Sequence, residues 1–182
     1  MHAIVSIETH VPLQRVGEVD PKRRRNLETV LAHMKAEAAG DLDGLMATLT
    51  HREVPQYYAY GTDDPILSPR GHDAVRQFYA AFVSSGAVKL ELDVQRLVAD
   101  EDFVITEGLM KIAYPGNLLR LMGHAVPDPD ASYLFLTRMC VIWPMDADGK
   151  VIGEHTYNGG DGFVGIAERK LGAGDIASVQ AA

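Results

Sequence analysis

A glutamate that alternates in phase with hydroxyl and amide residues along a strand-like run is the feature of this sequence best suited to proton chemistry. The run is Lys150-Val-Ile-Gly-Glu-His-Thr-Tyr157. Side chains on a strand repeat every two residues, so Ile152, Glu154, Thr156 and Asn158 share one face. A carboxyl group inside an apolar pocket has its charged form disfavoured, which raises its pKa toward the range a general acid or base needs near neutrality. A second reading stands beside this one: a buried glutamate paired with Arg138 or hydrogen-bonded to a tyrosine. Tyr58 and Tyr60 share a face of another strand-like segment, Glu53-Val-Pro-Gln-Tyr-Tyr-Ala-Tyr60. Two phenols on a pocket wall can donate hydrogen bonds to a carbonyl oxygen, and aromatic rings there can equally be core filling.

The histidines divide by context. His155 alternates onto the face opposite Glu154, toward solvent or a partner. His72 stands in the first turn of a helical pattern and reads as a cap or surface residue. His124 belongs to the connection from Pro115 to Asp130, which is longer than a hairpin needs. That connection carries Leu118, Leu119, Leu121 and Met122, a pattern that fits a lid over a pocket mouth or a surface buried by a second subunit. No HxH or HxxxH spacing occurs, so neither a metal nor a cofactor is expected. Glu107 alternates with Thr106 and reads as an outer-face residue near Lys111. The single cysteine, Cys140 in Met139-Cys-Val-Ile142, excludes an internal disulfide, fits a reducing compartment and reads as packing.

These residues must be positioned by elements whose periods change along the chain. Residues 1–19 lack a helical period and are expected to form an arm, with 20–182 as one domain. Asp20-Pro21 reads as an N-cap with proline in the first turn of a helix whose stripe is Leu27, Val30, Leu31, Met34 and Ala38, stopped by Gly40. A short helix carries Leu42, Leu45, Met46 and Leu49, and a third, from near Gly71 to Ser84-Ser-Gly86, aligns Val75, Phe78, Tyr79 and Phe82. Three long β-type runs then follow: Val88 to Val98, Phe103 to Tyr114 and Tyr133 to Trp143. Helices first and strands after predict an α+β cone, three helices on one face of a strongly curved, mainly antiparallel sheet enclosing a pocket.

Composition narrows the partners. The chain has 182 residues and a net charge of −8, which disfavours nucleic acid because phosphate binding needs a basic field. Only Lys22-Arg-Arg-Arg25 is locally basic, and it reads as a solvated helix face. No apolar run approaches the ~18 residues that span a bilayer, so no membrane span is expected. No secretory pattern stands at the N-terminus, and the cytoplasm is the expected location.

The order of helix, short helix, strand, Ser68-Pro-Arg-Gly-His-Asp-Ala-Val75 into a third helix, then four strands with Asp148-Gly-Lys-Val151 opening the last, resembles the nuclear transport factor 2-like superfamily. Within it the chain is similar to the SnoaL-like branch of polyketide cyclases, limonene-epoxide hydrolase and ketosteroid isomerase over roughly residues 22–172, closing on Asp161-Gly-Phe-Val-Gly-Ile-Ala-Glu-Arg-Lys-Leu-Gly172. The resemblance implies the cone fold but does not decide function. It implies an Arg-x-Asp pair at Gly108 and Met110 and a further Asp at Thr156, and all three acidic or basic residues are missing here. It also implies that Thr156 faces inward, which brings Glu154 and Asn158 with it, and that Tyr58 and Tyr60 match positions that grip a substrate oxygen. Glu154, Tyr58 and Tyr60 are therefore the expected catalytic residues, with Thr106, Met110, His124, Thr156 and Asn158 as expected substrate contacts.

Two functions fit this set. One is a cofactor-independent cyclase, isomerase or lyase on a small hydrophobic carbonyl compound, with Glu154 moving the proton. The other is a non-catalytic binder of a small hydrophobic metabolite. Because helices cover only one sheet face, a homodimer through the outer face is also expected, burying residues such as Leu109, Val141 and Tyr157.

Overall fold

The computed structural model describes residues 20–86, 89–172 and 174–176, so the expected arm at 1–19 lies outside the described residues. Helix α1 (Pro21–Ala39) starts where the Asp20 side chain accepts from the backbone N–H groups of Lys22 and Arg23, and ends at Gly40, whose φ of 68° is left-handed. Leu27, Val30, Met34 and Ala38 are buried as the stripe predicts, but Leu31 is only half-buried at the stripe's edge. Two polar residues share the buried face, Asn26 and His33. Helix α2 (Leu42–Met46) stops before Leu49, which is buried and bridges Val151. Helix α3 (His72–Ser84) buries Val75 and Tyr79. Phe78 and Phe82 stay half-buried because they face an internal cavity rather than solid core.

The sheet contains β1 (Tyr58–Tyr60), β2 (Leu90–Ala99), β3 (Phe103–Pro115), β4 (Ser132–Pro144) and β5 (His155–Asn158), in the spatial order β1-β5-β4-β3-β2. β1 pairs with β5 in parallel, and the other neighbours are antiparallel. β1 is shorter than the strand-like run suggests, since Pro55 cannot donate to a ladder. A register shift between Val94 and Arg96 bends the sheet. The residue opposite must be glycine: a Cβ on Gly108 would lie 2.0 Å from the Asp93 carbonyl oxygen.

The main core fills the space between α1, α2, α3 and the concave sheet face, with Trp143 and Tyr79 among its largest buried side chains. Val141 lies in this core, so it is an inner residue and not one of the outer-face residues expected to meet a second subunit. Glu107 does sit on the outer face, where it pairs with Arg96 and Arg138 rather than Lys111. Lys111 pairs instead with Glu91, its cross-strand neighbour, at 3.2 Å. The long connection forms α4 (Gly116–Leu121), and Leu119 packs with Val126, Tyr133 and Ile166 in a second core, while Leu121 and Met122 are exposed.

Candidate functional site

Glu154 is set by the chain just before β5. The Ile152 carbonyl accepts from the Gln56 N–H at 3.0 Å, and the Glu154 carbonyl accepts from the Tyr58 N–H at 2.8 Å. Between them, a Cβ on Gly153 would come within 1.8 Å of the Gln56 carbonyl oxygen. Glycine is what lets the two segments close, and closure aims the Glu154 side chain at the helices.

There it meets a chain of hydrogen bonds rooted in α1 and α2. The Thr48 hydroxyl donates to the Leu45 carbonyl at 2.6 Å, which uses its only proton. Thr48 Oγ1 must therefore accept from His33 Nδ1, 2.6 Å away. His33 Nε2 lies 3.0 Å from Glu154 Oε1. The Tyr79 hydroxyl donates a short hydrogen bond to the same oxygen. His33 Nε2 also lies 3.3 Å from the Tyr79 hydroxyl, so the imidazole, the phenol and the carboxyl form one cluster. Because the Thr48 oxygen can only accept, Nδ1 carries a proton and Nε2 is the ring nitrogen turned to Glu154 and Tyr79. Glu154 Oε2 receives no hydrogen bond from any described residue and is left for the cavity.

Two more ionisable groups crowd this end, Tyr57 and Glu37. Tyr57 is buried, its ring packed edge-on against Tyr79 at 5.9 Å. Its hydroxyl lies close enough to feel Tyr79 and Glu154 but forms no hydrogen bond of ordinary geometry. Burial, and then the Glu154 charge, pushes the Tyr57 and Tyr79 phenols well above their usual range, so both stay protonated and able to donate. Glu37 stands one helical turn beyond His33. Burial first, and the charge of Glu154 second, raise its carboxyl from 4.5 to about 8.

These groups open on a cavity of about 320 Å³, within the range of small-molecule sites. β2, β3 and β4 give it an apolar wall that includes Leu92, Met110, Ile112, Phe135 and Met139. Glu154, Tyr58, Met110, Thr156 and Asn158 all line the cavity. Tyr60, Thr106 and His124 do not. Tyr58 and Tyr60 do share a face, but it is the outer one: Tyr60 stacks on Tyr157 at 4.2 Å, and Tyr58 packs edge-on against His155 at 4.8 Å. Tyr58 reaches the cavity only at its exposed rim, and the phenol that the strand phase turns inward is Tyr57. Thr106 is fully buried beneath Trp143, accepting from its Nε1 at 3.0 Å. His124 stacks on Phe163 at 4.6 Å, beside the second core. No residue from Gly116 to Ala131 lines the cavity.

His33, Glu37, Tyr57 and Tyr79 are the site residues that sequence reasoning passed over. Their signal was partly present. His33 and Glu37 fall in phase with Val30 and Met34, so both were placed to look inward, and Tyr79 stood in the α3 stripe. Among the described residues no group of three or more His, Cys, Asp or Glu is arranged to hold a metal, and no helix is long and apolar enough to cross a membrane.

Comparison with known proteins identifies the family and the fold that carry this site. No curated protein matches the chain. Among solved structures, the chain is similar to an LEH-like epoxide hydrolase of M. tuberculosis, at 19% identity and a TM-score of 0.59, covering 82% of this chain and 94% of the other. A putative SnoaL-like polyketide cyclase from Shewanella denitrificans matches at 12% identity and a TM-score of 0.59, covering 73% and 89%. The epoxide hydrolase/cyclase-like enzyme SalBIII, which has a role in pyran ring formation in the polyether salinomycin, matches at 15% identity and a TM-score of 0.54, covering 75% and 92%. At these identities the structures establish the fold, a nuclear transport factor 2-like cone. The family model described as "SnoaL-like domain" matches residues 30–154, more than half of the sequence, and the chain belongs to that family.

Proposed function

We propose that the protein is a cofactor-independent isomerase or cyclase acting on a small apolar compound that bears a carbonyl group. The observation that carries this reading is Glu154: its Oε1 is anchored by buried His33 and Tyr79, Oε2 takes no hydrogen bond from any described residue, and the carboxyl lines a largely apolar cavity. A carboxylate held this way can take a proton from the carbon beside a carbonyl and return it elsewhere, or leave the enolate to attack an electrophile. Charge then develops on the carbonyl oxygen, and the Asn158 amide and Thr156 hydroxyl, both lining the cavity, are the donors that can meet it. Tyr58 at the rim, with Met110, Thr156 and Asn158, shapes the approach. Oxirane opening of the epoxide-hydrolase kind is not supported, because Gly108, Met110 and Thr156 stand where the resemblance implies that chemistry's charged residues.

Hydrogen–deuterium exchange of a panel of enolisable apolar ketones, followed by NMR, tests this. Glu154→Gln should slow exchange by about a hundredfold or more at unchanged melting temperature. Ketones that bind without exchange above buffer would replace the enzyme with a carrier, a reading favoured by the preponderance of apolar residues in the wall. We further propose a homodimer through the outer sheet face, supported by exposed Val98, Phe103 and Tyr157.

A further inference from the structure

Glu37 is the cavity carboxyl that the proposed proton transfer leaves unused. It lines the same space as Glu154, and its side chain makes no hydrogen bond to any described residue. Beside this pair lies the buried Tyr57 phenol, which burial keeps protonated and uncharged. The charged residues of the wall are Glu37, Glu91 and Glu154, all acidic, and Glu91 is already neutralised by Lys111 at 3.2 Å. No Lys or Arg stands among the described lining residues. Phe78, Tyr79 and Trp143 add aromatic rings to the same end.

Two carboxyl groups and several rings, with no lysine or arginine among the lining residues, form an environment complementary to a positive charge on an apolar body. We propose that the ligand carries a basic nitrogen and binds as an ammonium ion, with Glu37 as its counter-ion and the neighbouring rings supplying cation–π attraction. The inference rests on the cavity being the reacting site and narrows its substrates to amine-bearing carbonyl compounds. The chain's net charge of −8 favours approach of such a cation over any anion.

A proton balance follows. The groups facing Glu37 are Glu154 from the start of β5, Tyr57 from the approach to β1, Tyr79 from α3 and His33 from α1 itself. None supplies a fixed positive charge to Glu37, so burial and Glu154 keep it protonated at neutral pH. An arriving ammonium reverses that preference, and Glu37 gives up its proton to solvent as the ion pair forms.

Titration calorimetry with phenethylamine, phenethyl alcohol and phenylacetate, repeated at pH 7 in buffers of different ionisation enthalpy, tests the proposal. The amine should bind about tenfold or more tightly than the alcohol, and phenylacetate more weakly than either. Amine binding should release roughly one proton, and alcohol binding none. Glu37→Gln, and Glu37→Met as a second variant, should keep alcohol binding while losing both the amine preference and the proton release. Equal affinity for amine and alcohol, a preference that survives in both variants, or binding by none of the three overturns the inference. The catalytic reading is judged separately by ketone exchange: exchange that depends on Glu154 without an amine preference leaves that reading standing with a neutral substrate.

Discussion

Replacing Glu37 with glutamine should stabilise the protein, and by an amount that grows with pH. In the folded chain this carboxyl is raised from 4.5 to about 8. Its folded pKa therefore lies above its unfolded one, and between those values the folded state binds more protons. Stability from this group is fully present below pH 4.5, falls as pH rises toward 8, and is flat beyond. At about 1.4 kcal/mol per pH unit, the cost reaches roughly 3 kcal/mol at pH 7. Water in an open cavity screens part of this, so we expect on the order of 1–3 kcal/mol. Glutamine has the same shape and no proton to hold, so it escapes the pH-dependent part. Urea unfolding of both proteins at pH 4.5, 6, 7 and 8 reads the difference, in which most other titrations cancel. The variant should be no more stable than the parent at the lowest pH and clearly more stable at the highest. A stability difference constant within about 0.5 kcal/mol across the series would show that Glu37 ionises freely, and the burial and Glu154 repulsion argued to hold its proton would be wrong.

Gly153→Ala should cost more than 2 kcal/mol in the same assay, since the new Cβ would lie 1.8 Å from the Gln56 carbonyl and force β1 from β5 beside Glu154. Loss of ketone exchange should accompany it. Sedimentation at micromolar concentration should give twice the mass of one chain, and Tyr157→Lys on the outer face should shift it toward monomer. A parent protein that sediments as a monomer would remove the dimer proposal.

The sequence by itself determined the elements and their segregation. Apolar residues at helical spacing placed α1 and α3, alternating runs placed β2, β3 and β4, and Asp20-Pro21 and Gly40 marked the bounds of α1, because capping and periodicity are local properties of a chain. It also put Glu154, Thr156 and Asn158 on one face, a consequence of strand alternation alone. It could not decide which phase of a short strand faces inward. Tyr57, Tyr58 and Tyr60 differ only in register, and the choice of Tyr57 follows from β1 pairing in parallel with β5 some hundred residues away. Val141 on the long strand β4 also turns inward, because which sheet face the helices cover is settled by packing and not by alternation. Nor could sequence pair Glu154 with a partner: Arg138 was a plausible candidate by charge, yet it faces Glu107 across the sheet, while His33, Thr48 and Tyr79 reach Glu154's site from helices and a turn far away in the chain. Hydrogen bonds and pKa shifts depend on separations of a few ångströms, and only the packing of α1 and α3 against the concave sheet sets those distances.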